Sequence, residues 1–260
     1  MIFSDALPSR TLPYRVKEIE VELFKPRQIA LMSKAVMLDD IQPAVDAMAS
    51  VLKGLDISEL TVGDFYFLLT WQRMNCFKQN PVVAQWSCPG TMFNDIDSNQ
   101  KYTPIEVQTI VDNWEAADEE ARYALKDPNK VHLDAYICQH MNVETLSFED
   151  FSVVYLEEDT VLDQRLDYPR CDTLSDFIKL QSDPDYGIIA DAAQWIRGSS
   201  NLRERINDLL SSEDNELMEV ACQANRDVRH GILRSVVKPC SSCGHKHALN
   251  FIIEPRSFFL

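Results

Sequence analysis

Apolar and polar residues first alternate where Ile19, Val21 and Leu23 stand between Glu18, Glu20 and Glu22. A period of two belongs to a half-buried strand, so residues 16–24 are expected to form one with the glutamates on its outer face. From Arg27 to Leu55 the apolar spacing changes to three and four (Ile29, Met32, Val36, then Ile41, Val45, Met48, Leu52), which predicts two amphipathic helices divided near Asp39-Asp40. Thr61, with Asp64 three residues on, marks the start of a third helix whose Phe65, Leu68, Leu69 and Met74 turn inward and whose stop is Pro81.

Val82–Trp86 and the stretch through Phe93 and Ile96 read as short strands around Cys88-Pro89-Gly90, a hairpin with a cysteine at its tip. Residues 104–126 read as an acidic helix with a solvated face, and β-favouring residues between 131 and 168 predict two or three more strands. Leu174–Leu180, Ile188–Ile196 and Leu202–Val228 predict a helical segment with breaks at Asp183-Pro184 and Gly198 and a capping pair at Asn201 and Glu204. Its inward stripe is Ile206, Leu209, Leu210, Leu217, Val220, Ala221 and Ala224. Leu233–Lys238 and Ala248–Ile253 flank a second cysteine-tipped turn. The expected fold class is therefore α+β: a helical N-terminal region and a helical insertion around a small, mostly antiparallel sheet with a zinc-ribbon-like pair of hairpins. The implied division is 1–80 for the first strand and helices, 81–171 with 233–260 for the β region, and 172–232 for the helical segment.

Composition narrows the partners. A hydrophobic content of 45% over 260 residues suits a folded chain with a core. With 41 acidic against 25 basic residues, the net charge of −16 repels a phosphate backbone, so nucleic acid is not expected as a partner. The opening Met1–Pro8 lacks the basic start and apolar core of a secretory signal, and no stretch reaches the roughly 18 apolar residues of a membrane span. Synthesis in the cytosol, without a membrane, is the expectation. The seven cysteines (Cys76, Cys88, Cys138, Cys171, Cys222, Cys240, Cys243) are odd in number and lack framework spacing, which favours reduced thiols over disulfides.

The sharpest chemical signal is Cys240-x-x-Cys243-Gly244, because two thiolates two residues apart in a tight turn can face one tetrahedral metal. The other half of a ribbon site would come from Cys88-Pro89-Gly90-Thr91, where threonine replaces the second cysteine of the knuckle. Cys88, Cys240 and Cys243 with His245 are then the expected ligands of a structural Zn2+. His247 is an alternative fourth donor, and Cys138-x-His140, whose side chains share a strand face, is a rival pair. A ribbon without metal and a redox thiol pair remain open, although the latter needs a CxxC at a helix N-terminus. There is no Gly-rich phosphate loop among the seven glycines, no Gly-x-Ser-x-Gly and no His-Glu-x-x-His, so no catalytic site is expected. Asp227 and His230 before Gly231 read as a helix end, and the four tryptophans as core.

Taken in order, Leu7-Pro8-Ser9-Arg10 with Pro13-Tyr14, Leu60–Phe65 leading to Arg73, the half-knuckle at Cys88, and Asp227/His230-Gly231 before Cys240-x-x-Cys243-Gly244 and Phe258-Phe259 resemble the baseplate hub proteins of T-even-type contractile-tailed bacteriophages. The resemblance implies a non-enzymatic hub component or hub assembly factor. It would contact other baseplate and tail proteins in a multi-subunit assembly, in the host cytoplasm during assembly and in the virion tail baseplate if retained. A cytosolic zinc-ribbon adaptor unrelated to phage tails is the alternative, and a hydrolase the third reading.

Overall fold

The computed structural model describes residues 1–3, 7–16, 18–181, 183, 185–199, 201–211 and 215–251. In β1 (Ile2–Phe3) and β2 (Ile19–Val21), which pair antiparallel, Ile19 and Val21 are buried and Glu20 is exposed, as alternation requires. The strand stops at Val21, so the two faces do not continue: Leu23 is 47% exposed and Phe24 turns inward in its place. α1 (Pro26–Leu38) and α2 (Gln42–Ala49) part at Asp39, whose left-handed φ of 53° ends the first helix. β3 (Leu52–Lys53) then joins β2, and Lys53 pairs with Glu20 and Glu22 on the outer face.

α3 (Val62–Cys76) begins where the Thr61 hydroxyl accepts from the N–H of Asp64 at 3.3 Å. Every residue from Asp64 through Arg73 is buried, so this helix is covered on all sides and not along one stripe.

β4 (Val83–Ser87), β5 (Thr91–Asp95) and β6 (Lys101–Tyr102) follow, then α4 (Pro104–Ala116), α5 (Glu119–Arg122), β7 (Leu133–Ile137) and β8 (Met141–Thr145). The hairpin expected between 82 and 96 does not form, because β4 pairs with β8 and β5 with β7. Exposed and buried residues alternate without interruption from Val83 to Met92, so the chain stays extended through Cys88-Pro89-Gly90 and does not reverse.

β9 (Val153–Val154), α6 (Leu174–Gln181), α7 (Gly187–Ala193), α8 (Leu202–Ser211), α9 (Asn215–Asp227) and β10 (Gly231–Ile232) come next. The run expected from Leu202 to Val228 is thus two helices, with 212–214 outside the described residues, and Pro184 also lies outside them. Leu210, assigned to the buried stripe, is 56% exposed, while Ile206, Leu209, Ala221 and Ala224 are buried. β11 (Ser235–Pro239) and β12 (Lys246–Asn250) form the second expected hairpin; Ile252, Ile253 and Phe258-Phe259 fall outside the described residues. Among the described residues the strands make several antiparallel sheets of two or three strands each, not one sheet.

The chain divides into two compact units, Met1–Pro81 and Ser147–Arg234 with Phe251 in the first, and Val82–Leu146 with Ser235–Asn250 in the second. Helices α6–α9, expected as a separate segment, therefore belong with the N-terminal helices, and residues 147–171 belong there too and not with the β region. Backbone bonds from Val62 N–H to Pro169 and from Cys171 N–H to Leu60 tie that stretch to the start of α3. In the first unit, Asp64 is fully buried and accepts from the Ser9 N–H at 3.0 Å and the Tyr14 hydroxyl at 2.5 Å, while Thr61 bonds His230 Nε2 at 2.8 Å. α9 ends at Asp227, the helix end the sequence suggested, and His230 beyond it closes this network edge-on to Tyr168. Packing around the imidazole pushes its pKa down, against the pull of Asp64. Gly231, at φ +122°, lies so close to Gly63 that a Cβ on it would meet that backbone at 3.0 Å. Trp71, Trp86 and Trp195 are buried, and Trp114 is half-buried under Arg122.

Candidate metal centre

In the second unit one register runs through both strand ladders. Ser87 stands opposite Met141 before the gap and Thr91 opposite Ile137 after it, so Cys88 faces His140 and Gly90 faces Cys138 with no inserted residue. The gap itself is hydrogen-bonded: Cys88 N–H donates to His140 (3.0 Å), Cys138 N–H to Gly90 (2.8 Å) and Gln139 N–H to Cys88 (3.0 Å). Cys88 lies between Trp86 and Met92 in the alternation, and Cys138 between Tyr136 and Asn142, so both thiols share the inner face of this ribbon.

The β11–β12 turn supplies the other pair. Gly244 N–H donates to Cys240 and Cys240 N–H to His245, and Gly244 holds a left-handed φ of +72°. The turn approaches the ribbon where Gly90 has no side chain. A Cβ on Gly90 would stand 2.6 Å from the Cβ of His245 and 3.0 Å from the Cys243 sulfur.

Cys88, Cys138, Cys240 and Cys243 then converge, their sulfur atoms all within 4.8 Å of one another. Cys88 and Cys243 are 3.5 Å apart and Cys138 and Cys240 4.0 Å. A tetrahedral metal with bonds of about 2.3 Å to sulfur needs sulfurs about 3.8 Å apart. The four cysteines could therefore hold one metal ion. Three of the four expected ligands come together, and Cys138 takes the place given to His245, whose exposed ring stands outside the group. His140, the other half of the rival pair, is likewise exposed and bonds the Ser241 hydroxyl at 3.0 Å.

Donors surround the sulfurs. Gly90 N–H points at Cys88 (3.3 Å), and Ser242 N–H and the Asn142 amide at Cys240 (3.4 Å each). Burial opposes ionisation of Cys240, but the donors from Asn142, Ser242 and Cys243 outweigh it and bring that thiol down to about 6. Burial and the neighbouring sulfurs push Cys243 up to about 12, and burial pushes Cys88 upward as well. One thiolate forms readily, and its charge opposes a second unless a cation offsets both.

The residue that sequence reading missed is Asn142. It is 3% exposed, gives its amide to His140 and Cys240, and accepts from Ser241 N–H and hydroxyl at 3.0 Å each, so it joins ribbon to turn. Its signal was the strand alternation Cys138-x-His140-x-Asn142, which puts Asn142 on the cysteine face. Comparison with family models, with curated proteins and with solved structures finds no match for this chain.

Proposed function

We propose that the chain is a non-enzymatic component or assembly factor of a phage tail baseplate hub, acting through protein contacts, and that a structural Zn2+ on Cys88, Cys138, Cys240 and Cys243 folds its second unit. The carrying observation is that Cys88, Cys240, Cys243 and Met92 form a buried cluster between ribbon and hairpin, with the half-buried Cys138 and Tyr136 packed against it. Ala84, Trp86, Tyr102, Leu146 and Val236 are the other apolar side chains buried in this unit, a small core that a structural metal would reinforce. Four thiolates leave a tetrahedral ion no open position, which is the arrangement of structural and not catalytic zinc.

The hub reading draws its support from the ordered motifs. Ser9, Tyr14, Thr61, Asp64 and His230, far apart in sequence, join in one buried network, so these motif residues act together as framework. The metal site would serve a cytosolic zinc-ribbon adaptor equally well, and the two readings separate by experiment. On the hub reading, virions made without this gene have defective tails. Mass spectrometry of wild-type virions then distinguishes a retained part from an assembly factor used in the host cytoplasm. Normal infectious particles made in its absence would overturn both versions. Elemental analysis of purified protein should find one zinc per chain; metal-free protein with the second unit folded would remove the structural role.

A further inference from the structure

A cavity of about 500 Å³ lies within the first unit, between the start of α3, the helices α6 and α7, and the chain from Asn225 to Arg234. Tyr66, Phe177 and Trp195 give it aromatic walls. Pockets for small organic ligands span roughly 300–1,000 Å³ and set a few polar groups in such walls. Four polar side chains here have capacity left for a ligand. Gln194 is 5% exposed, yet among the described residues no hydrogen bond reaches its side-chain amide. An amide buried in this way is costly unless something enters the cavity to bond it. Asp191, three residues before it on the same helical face, is half-buried without an ion pair, and burial alone pushes its pKa up. Arg229 and Arg234 are likewise in no ion pair among the described residues, so neither of them pairs with Asp191 across the cavity. Arg234 lies 5.0 Å from the centre of the Tyr66 ring, a contact that uses the face of the guanidinium and not its N–H edge. His230 and Asn225, which also line the cavity, are engaged: the first by Thr61, the second by the Trp195 indole N–H at 3.1 Å.

We infer that this cavity binds a short apolar peptide with both ends free, about two residues long, its ammonium on Asp191, its carboxylate on Arg229 and Arg234, and its peptide group on Gln194. Only such a ligand satisfies all four groups together. An anion alone would leave Asp191 unpaired, and a cation alone would leave both arginines so. A single amino acid brings no peptide group to the Gln194 amide, whose N–H donors and carbonyl acceptor complement the C=O and N–H of a peptide bond. The planar forks of the two arginines match a carboxylate, and the aromatic walls favour apolar side chains on the peptide. Neither the zinc site nor the hub reading enters this inference, since the cavity shares no residue with the cysteine cluster.

Isothermal titration of the full chain with L-leucyl-L-phenylalanine tests this beside the N-acetylated dipeptide, its C-terminal amide, and L-phenylalanine alone. The free dipeptide should bind one to one, and each of the other ligands at least tenfold more weakly. Asp191→Asn should abolish the preference over the acetylated form and keep that over the amide. Arg229→Gln combined with Arg234→Gln should do the reverse. Melting temperatures of the unliganded variants report their folding, and where a variant has lost its fold the ligand series on the wild type decides. No heat with millimolar free dipeptide, equal affinity for capped and free forms, equal affinity for phenylalanine alone, or wild-type preferences in the folded variants would each overturn the inference.

Discussion

The two units of this chain solve the same problem, fastening segments distant in sequence, by different chemistry. In the first, α3 is buried from Asp64 to Arg73 and aliphatic clusters fill the space around α6–α9, including Leu166, Trp195, Ile196 and Leu209. Polar bonds from Asp64, Thr61 and His230 only add a register to a core that already exists. In the second, the four thiols pack with Met92 and Tyr136, the other buried apolar side chains are Ala84, Trp86, Tyr102, Leu146 and Val236, and no residue of α4 is fully buried. Where a core is large, buried hydrogen bonds choose among packed arrangements; where it is smaller, four converging thiols could add an ion to what holds the fold.

The proposed zinc gives the comparison its plainest test. Chelation, or Cys243→Ser, should unfold the second unit and leave the first intact, because metal affinity and folding are one free energy, on the order of 10 kcal/mol for structural zinc. Hydrogen exchange resolved by peptide would show amides of 83–95, 133–145 and 235–250 exchanging freely while those of 62–76 stay protected. Uniform loss of protection across both units would end the contrast.

A smaller effect is expected in the other unit. Asp64→Ala leaves the Ser9 N–H and Tyr14 hydroxyl without their acceptor and should lower stability by about 3 kcal/mol, with zinc content unchanged. Denaturant unfolding followed by tryptophan fluorescence measures it. Asp64→Asn should recover part of the loss, since one amide oxygen can still accept.

Within the second unit, Asn142→Ala should keep the four sulfurs but lower metal affinity about 10- to 100-fold, as loss of an orienting partner does. Competition with a chromogenic zinc chelator reads the change directly. An unchanged affinity would mean that the cysteine turn is held by its own backbone bonds alone.

The smallest effect concerns pH. The folded unit holds the His230 pKa below its ordinary value, so the unfolded chain binds the proton more readily. The stability that His230 adds is fully present above about pH 6.5, the ordinary imidazole value, and is lost as pH falls below it towards the folded pKa. The melting temperature of the first unit should therefore decline more between pH 7 and 5 in the wild type than in His230→Asn. Equal slopes would show that carboxylates alone account for the decline.

The sequence by itself determined the local elements. Thr61 and Asp64 announced α3, the Asp39-Asp40 break parted α1 from α2, and Cys240-x-x-Cys243-Gly244 announced the cysteine-tipped turn, because capping, helical stops and thiol spacing act over a few residues. The α+β class was legible for the same reason. Strand pairing was not. Cys88-Pro89-Gly90 has the composition of a turn, yet it stays extended because residues 133–145 pair along its whole length, a choice made by contacts some 50 positions away. That pairing brings Cys138 beside the sulfurs of Cys88, Cys240 and Cys243, and Asn142 to Cys240. Likewise, the helix end near Asp227 and His230 was legible, since α9 stops at Asp227, but only the packing of β10 against α3 carries His230 to Thr61. Local chemistry names the candidate ligands, and long-range pairing decides which of them meet, since a sulfur's position depends on the strand across from it and not on its sequence neighbours.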